Sequence, residues 1–155
     1  MIVLKYGAVK GNCEIAGYEG WIVCGSYQFG VGRGIASAAD GNKRTATAPS
    51  ISEITLTKQT DPASADLYFA ALCGSGVDAS VHFLNTQDNK VEVFLKFEMK
   101  NAMISGYSMS SGGDLPSESL SINFVEITYQ FDQYDGASVK TGDVKKWDLA
   151  KAKSA

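Results

Sequence analysis

The chain has 155 residues, of which 45% are hydrophobic and 20% are charged. This length and composition predict a single domain, residues 1–155, with a sizeable core. A net charge of −3 at pH 7 argues against nucleic acid as a main partner, because phosphate binding needs clustered Lys and Arg. The longest apolar run, Leu67 to Cys73, is far too short to span a bilayer, so we expect no membrane insertion.

Two features bear on the cellular compartment. The N-terminus lacks a basic region followed by a long apolar region, so we expect no signal peptide. Cys13, Cys24 and Cys73 form an odd set without CxxC spacing. Reduced thiols in a cytoplasmic protein are the expectation from that pattern.

The first part of the chain predicts strands joined by turns. Ile2 to Tyr6 is a short strand, and Lys10-Gly11-Asn12 is a turn. Glu19 to Val31 alternates with period two, which predicts one amphipathic strand with Trp21, Val23, Tyr27 and Phe29 on a single face.

Glycines follow that strand and precede a long polar segment. Gly30, Gly32 and Gly34 permit backbone angles that side chains forbid. Residues 33–50 have no helical or strand periodicity, and a loop of this length in a compact domain is usually functional or disordered. Two interpretations stay open: a floppy surface loop, or an ordered segment that contacts a partner.

One helix is predicted after a strand over Ile51 to Lys58. Asp61 can cap it, Pro62 suits its first turn and Gly74 can end it. Helical spacing predicts an apolar stripe facing the sheet, formed by Leu67, Tyr68, Ala71 and Leu72.

The second half reads as strands. Val77 to Thr86 and Val91 to Met99 predict a hairpin around Gln87-Asp88-Asn89, and Met103 to Met109 predicts a further strand. Ser108 to Phe131 predicts a Gly-rich turn followed by one long strand.

The apolar phase of that long strand changes at Phe124–Val125, which indicates a bulge or a strand passing from one layer to another. Tyr134 to Asp143 reads as a polar loop, Val144 to Leu149 as a last short strand and Ala150 to Ala155 as a polar tail. The sum is seven or eight strands and one helix, a β-barrel or sandwich.

No motif for catalysis emerges. His82 is the only histidine, which leaves no HExxH motif and no zinc site of two His and two Cys. A Ser-His-Asp triad would need His82, yet no GxSxG elbow presents a serine. Trp21 and Trp147 could be ligand platforms, although strand aromatics usually belong to the core. We therefore predict no catalytic, cofactor-binding or metal-binding residue, no cofactor and no enzyme activity.

Several stretches resemble the Hcp family, the haemolysin-coregulated tube proteins of type VI secretion systems. They cover nearly the whole chain in order, and the long segment ending at Phe131 is the most specific. Cys13 and Tyr18 are mild departures from the family pattern. The matching stretches are VKG at Val9–Gly11, GWI at Gly20–Ile22, SYQFGVGRGI at Ser26–Ile35, PSISEITLTKQTD at Pro49–Asp61, ISGYSMSSGGDLPSESLSINFVEITYQF at Ile104–Phe131, DG at Asp135-Gly136 and KKWDL at Lys145–Leu149.

The resemblance implies a mainly β fold: a closed β-barrel of two antiparallel sheets with one flanking α-helix, related to phage tail tube proteins. It also implies hexameric rings that stack head-to-tail into a hollow tube. The implied partners are other copies of the chain, the contractile sheath, VgrG-type spike proteins and effectors in the lumen. The protein would be cytoplasmic before firing and secreted afterwards.

Three alternatives stay open beside a type VI tube subunit. The first is a tube protein of another contractile injection system, which would share the fold and the ring. The second is a ligand-binding β-barrel, which would be a monomer with a deep pocket. The third is a hydrolase that uses His82, whose activity would be lost on substitution of that residue.

Overall fold

The computed structural model describes residues 1–36, 44–87, 90–135 and 138–154. These residues form a mainly β structure with one α-helix, α1, Ser64–Cys73. Within the described ranges, no helix is long and apolar enough to cross a membrane. The strands are β1 Ile2–Tyr6, β2 Ile22–Cys24, β3 Ser26–Gln28, β4 Val31–Gly32, β5 Ser50–Ile51, β6 Ile54–Gln59, β7 Val77–Gln87, β8 Lys90–Ser110, β9 Ser117–Asn123, β10 Glu126–Asp135, β11 Ser138–Asp148 and β12 Lys153–Ser154.

Strand β8 connects the whole architecture. It is 21 residues long, and it continues through the predicted separate strand at Met103 to Met109. Its first half pairs with β7 and β10 in the series β12-β11-β10-β8-β7-β1-β2, and its second half pairs with β9 in the series β8-β9-β6-β3. Strands β4 and β5 form a separate two-stranded ribbon. Every one of these pairings is antiparallel.

The buried phase of β8 changes where it passes from one sheet to the other. Phe97 and Met99 are buried on one side of Asn101, and Ala102 and Ile104 are buried on the other. Asn101 has φ 51°, the left-handed region that Asn tolerates better than most residues. The inward and outward alternation of side chains therefore shifts by one residue at Asn101, so that both halves of β8 bury side chains in the same core.

The same device confirms the predicted phase change at Phe124–Val125. The predicted long strand is two strands, because β9 belongs to the series with β6 and β10 to the series with β11. Phe124 is buried at the end of β9's phase, and Ile127 restarts the buried phase in β10. Of the two interpretations open for this point, the passage between layers is correct.

The single amphipathic strand predicted over Glu19 to Val31 is wrong for the same reason. Ile22 and Cys24 are buried in the main core, although the predicted apolar face was the opposite one, which carries Trp21 and Val23. The strand before Gly25, β2, pairs with β1, and the strand after it, β3, pairs with β6. Tyr27 of β3 packs against the core. Alternation alone cannot detect a phase change when apolar residues stand on both phases.

The core lies between the two series of strands. It joins buried residues of β1, β2, β6, β7, β8, β9 and α1. Burying each large aliphatic side chain contributes roughly 1.5–3 kcal/mol. Its largest fully buried members are Leu4, Ile22, Ile54, Leu56, Leu67, Met99, Leu120, Ile122 and Val81.

Helix α1 was predicted in the right place with the wrong buried face. Gly74 follows its last residue, and the Gly74 N–H donates to the Ala70 carbonyl. The predicted cap at Asp61 is wrong, because the helix begins at Ser64 and its N-cap residue, Ala63, makes no side-chain capping hydrogen bond. Asp61 instead accepts a hydrogen bond from the Ala63 N–H at 2.9 Å, just before the helix. Of the predicted stripe, Leu67 is buried and Ala71 packs on the core, whereas Tyr68 and Leu72 are exposed. The core-facing side of the helix instead includes Ala70, so the stripe is rotated from the prediction.

A buried ionic cluster attaches α1 to the sheet. The Lys58 ammonium of β6 lies 2.8 Å from Asp61 Oδ1 and 2.9 Å from Glu118 Oε2 of β9. It also donates to Ser64 Oγ, in the first turn of the helix, at 3.0 Å. Burial raises the pKa of Glu118, but hydrogen bonds from Lys58, Ser64 and Thr60 outweigh it and hold that pKa below its ordinary value. The cluster thereby joins two strands and the start of the helix.

The C-terminal region holds more strand than predicted. The expected loop over Tyr134 to Asp143 is wrong, because β10 reaches Asp135 and β11 starts at Ser138. Tyr134 pairs with Val139, and its hydroxyl donates to the Val93 carbonyl at 3.0 Å. This end of the hairpin extends beyond the core and most of its residues are polar, so its sequence resembles that of a loop. The predicted polar tail also contributes β12, and its last residue lies outside the described part.

The N-terminal strand and the central hairpin agree with the sequence. β1 has the predicted bounds, and β7 pairs with β8 around the predicted turn, whose residues 88–89 lie outside the described part. A closed barrel is not confirmed: among the described residues, β2 pairs with β1 only and β3 with β6 only.

Candidate functional site

His82 lies on β7 in a satisfied polar cluster. Its Nδ1 shares a hydrogen bond with the Tyr18 hydroxyl at 3.1 Å, and its Nε2 lies 2.9 Å from Glu98 Oε1 of β8. The Ser80 hydroxyl donates to the other oxygen of the Glu98 carboxylate. Burial raises the pKa of Glu98, but the hydrogen bonds from His82 and Ser80 prevail and lower it. Because Ser80 is bound to Glu98 rather than to His82, the cluster lacks a nucleophile–base pair.

Trp21, one of the two tryptophans considered as ligand platforms, packs against this cluster. Its ring centroid lies 4.9 Å from those of Tyr18 and His82. Beneath them, Val3, Cys13 and Leu84 form a second small core under the loop before β2. His82 and Trp21 therefore hold that loop on the sheet, which is a structural role.

The three thiols are free. Cys13 and Cys24 are buried and Cys73 is exposed at the end of α1. Burial raises the pKa of the Cys24 thiol to about 12. Among the residues that the structure describes, no three His, Cys, Asp or Glu side chains are arranged to hold a metal ion.

The feature that sequence reasoning missed is an apolar groove between the β4–β5 ribbon and the β10–β11 hairpin. Its volume is about 600 Å³. Three basic side chains, Arg33, Lys145 and Lys146, also line it. Most of its wall is apolar and includes Val31, Ile51, Ile127, Tyr129, Val144 and Trp147, the second tryptophan considered as a ligand platform.

The large apolar side chains of the groove are unusually open to solvent. The exposed fraction is 61% for Val31, 45% for Tyr129 and 55% for Val144. Contiguous exposed apolar surface of this kind marks an interaction site more often than a plain exterior. The groove is the candidate functional site of the described part of the chain.

The strand geometry of β10 explains why the groove is open. Its apolar phase runs through Ile127, Tyr129 and Phe131, and burial falls along it because the strand leaves the core. A register shift between Gln130 and Asp132 interrupts the pairing with β11. A Cβ on Gly142 would lie 1.8 Å from the Phe131 carbonyl oxygen, so only glycine allows this close approach.

The buried Asp132 carboxylate stabilises that register shift through its hydrogen bonds. It lies 3.1 Å from the Lys96 ammonium and accepts from Gln130 Nε2 at 2.9 Å and from the Gly142 N–H at 3.2 Å. Burial raises the pKa of Asp132, but these hydrogen bonds lower it overall. The wall of the groove is therefore rigidly supported.

The other wall is the arm formed by the long polar segment. Beyond β4 and β5, Ile35 bridges to Ala46, and the Thr47 N–H donates to the Gly34 carbonyl at 2.9 Å. The described part of the arm is thus an ordered ribbon, while residues 37–43 lie outside it. Gly30, Gly32 and Gly34 do not use the left-handed angles that glycine permits, because positive φ occurs at other glycines, such as Gly113 (φ 116°). The arm is extended rather than tightly turned at these glycines.

A family model described as "Type VI secretion system effector, Hcp" matches residues 3–131. The chain belongs to the Hcp family. This confirms the resemblance seen in the sequence and places the groove on the fold of a tube protein family. No curated protein sequence matches the chain.

Solved structures share the fold with low sequence identity. A type six secretion system protein has a TM-score of 0.90 at 20% identity, covering 99% of this chain and 98% of that chain. Hcp1 from Salmonella typhimurium has a TM-score of 0.76 at 16% identity, covering 99% and 97%. The tube-terminating cap of the anti-feeding prophage has a TM-score of 0.57 at 12% identity, covering 84% and 87%.

Proposed function

We propose that the chain is the structural subunit of the inner tube of a type VI secretion system. Six copies form a ring, rings stack head-to-tail into a hollow tube, and contraction of the sheath exports that tube from the cytoplasm. The supporting observation is the exposed apolar groove beside an ordered arm, on the fold of the Hcp family. A surface of this kind is stabilised when another copy covers it.

A closed subunit barrel belongs to this proposal. The break between the two series falls at Gly25, where the Gly25 N–H donates to the Thr57 carbonyl at 2.7 Å. This hydrogen bond supports closure between the β1–β2 side and the β3–β6 side. Closure would remove two strand edges that could otherwise pair with other chains.

We further propose contacts with the sheath and a VgrG-type spike along the tube, and effectors carried in its lumen. Hydroxyl side chains support a wet lumen wall, since β6 and β9 place Thr55 opposite Ser121 and Thr57 opposite Ser119. Such a surface is well hydrated without strong charge, so a passing protein would not be held by ion pairs.

An assembly role without catalysis fits the His82 cluster. Each imidazole nitrogen has a protein partner, and the neighbouring serine is bound to the carboxylate. We therefore expect His82→Ala to loosen the loop over β1 and to leave assembly intact.

Two other functions have specific support. Similarity to the anti-feeding prophage cap favours a tube protein of another contractile injection system, which would form the same rings. A groove of about 600 Å³ is large enough for a small molecule, which favours a ligand-binding β-barrel that would remain a monomer.

Size-exclusion chromatography with light scattering tests the proposal. Six copies of 16.5 kDa give about 99 kDa for a ring, whereas a ligand-binding barrel gives 16.5 kDa. Electron microscopy then shows whether rings stack into tubes. A particle that stays monomeric at high concentration would refute the proposed function. Co-purification with type VI or prophage-like sheath subunits would separate the two tube assignments.

A further inference from the structure

The subunit has a second exposed apolar surface, which shares no residue with the groove. Helix α1 turns Tyr68, Phe69 and Leu72 to solvent, and we call these three residues the helix ridge. Phe69 and Leu72 are each 64% exposed. They lie three positions apart, so they stand on one face of the helix.

The helix ridge is held in a fixed orientation. Leu67 is fully buried on the core side of α1. Tyr68 packs edge-to-face on Tyr107 of β8 at 5.7 Å between centroids, and the Lys58 cluster fixes the first turn. An apolar helix face with neighbouring anchors is the shape that enters a hydrophobic groove.

The charges of the two surfaces are complementary. Asp66 is the acidic residue in the first turn of α1, and its last turn carries no basic residue. The C-terminal end of a helix has a partial negative charge that favours nearby cations. The groove supplies Arg33, Lys145 and Lys146, although Lys145 also pairs with Asp143 and Lys146 with Glu126.

We propose that the helix ridge of one copy docks in the groove of the next copy. The inference rests on the proposed ring, and it specifies which two surfaces form the contact between neighbours. Joining two different surfaces of one chain is a heterologous contact, and such contacts close into a ring when the rotation permits.

Pairing of like surfaces fits the same observations less well. A groove against a groove would bring Arg33 and the two lysines of each copy together, and like charges in contact repel. A ridge against a ridge would stop at a dimer, because a two-fold contact uses the same surface on both copies.

Three matched substitutions test the contact. Leu72→Asp alters the ridge, Val144→Asp alters the groove, and Leu115→Asp is the control, since Leu115 is 58% exposed and lies outside both surfaces. Circular dichroism and thermal melting establish that each variant folds. We expect the ridge and groove variants each to fall from about 99 kDa to 16.5 kDa, and the control to keep the wild-type mass.

Mixing the two defective variants gives the decisive result. The Leu72→Asp chain keeps a working groove and the Val144→Asp chain keeps a working ridge, so an equal mixture can form one good contact and should yield a heterodimer of about 33 kDa, twice 16.5 kDa. A mixture that stays monomeric, or a control that also loses the ring, overturns the inference.

The mass of the wild-type protein distinguishes failure of the docking inference from failure of the proposed function. If the wild type forms rings and both variants still form them, the docking inference fails while the proposed function stands. If the wild type is a monomer, the proposed function fails and the inference fails with it.

Discussion

Lys58 is the buried cation on which two carboxylates depend. Its side chain and that of Glu118 are fully buried, and Asp61 is almost so. Removing one partner from a buried ion pair leaves charge without compensation in a poorly solvated place, which costs about 3–5 kcal/mol. We therefore expect the free energy of unfolding to fall when any one charged member of the cluster is removed.

We predict that Lys58→Met lowers the free energy of unfolding by about 3–5 kcal/mol in urea denaturation. Lys145→Met is the control, because Lys145 makes a solvent-exposed pair with Asp143 and should change stability by less than about 1 kcal/mol. Equal stability of Lys58→Met and the wild type would show that the buried cation is dispensable.

Glu118 makes the same cluster sensitive to acid. Its pKa is lowered in the folded state, so the carboxylate stabilises the fold above its unfolded pKa, about 4.3, and this contribution is lost as pH falls through the folded value. We predict that Glu118→Gln has a shallower loss of urea midpoint between pH 5 and pH 3 than the wild type. Glu14→Gln, at an exposed position, should lose urea midpoint with falling pH as steeply as the wild type does. An equally steep loss for Glu118→Gln would contradict the prediction.

At the scale of the secondary-structure element, the β10–β11 hairpin that forms one groove wall contains a register shift between Gln130 and Asp132. The close approach of Gly142 to the Phe131 carbonyl leaves no space for a methyl group. We predict that Gly142→Ala costs about 1–3 kcal/mol, because the backbone of the hairpin must move. Gly112→Ala, where a Cβ meets nothing within 4 Å, should stay within about 0.5 kcal/mol of the wild type in the same unfolding experiment.

The element level also shows how far the sequence predicts this protein. Local patterns were sufficient for β1, the central hairpin and the position of α1, since these depend on alternation, turn residues and helix ends. The passage at Phe124–Val125 was predicted because the apolar phase visibly changes there. The passage at Gly25 was missed because Ile22 and Cys24 are apolar on the phase opposite to Trp21 and Val23.

The groove was not predicted for a different physical reason. Periodicity shows which face of a strand is apolar, but it does not show whether another layer covers that face. Ile127, Tyr129 and Phe131 share one phase, yet the first is buried and the other two are nearly half exposed. Two residues of the helix ridge, Tyr68 and Leu72, were likewise assigned to the face that packs on the sheet, because apolar residues lie on both sides of α1.

At the scale of the whole molecule, we predict that the arm, residues 33–50, makes contacts along the proposed tube. Gly34 and Thr47 are hydrogen-bonded to each other, so removing Ile35 to Thr47 brings together ends that are already close. We predict a folded subunit that forms rings but no longer stacks into tubes. Electron microscopy with a glycine-serine segment of equal length as control tests this; unchanged tubes from the deletion would refute the role of the arm.

Redox conditions should not affect assembly. Cys13 and Cys24 are buried, and the raised pKa of Cys24 keeps it a thiol. We predict the same ring mass with and without reductant by native mass spectrometry, and the same for Cys73→Ser, which removes the exposed thiol. A ring that appears only under oxidising conditions would contradict this.

The strand that changes phase at Asn101 has a mechanical consequence. Strand β8 pairs with β10 in one series of strands and with β9 in the other. Separating either series from β8 would therefore break the backbone hydrogen bonds between β8 and its neighbour. Amide protons on either side of Asn101 should then exchange with deuterium through the same global opening, rather than through independent local ones. If the chain forms the proposed tube, that tube would resist partial unfolding of its subunits, since each subunit would unfold as a single unit.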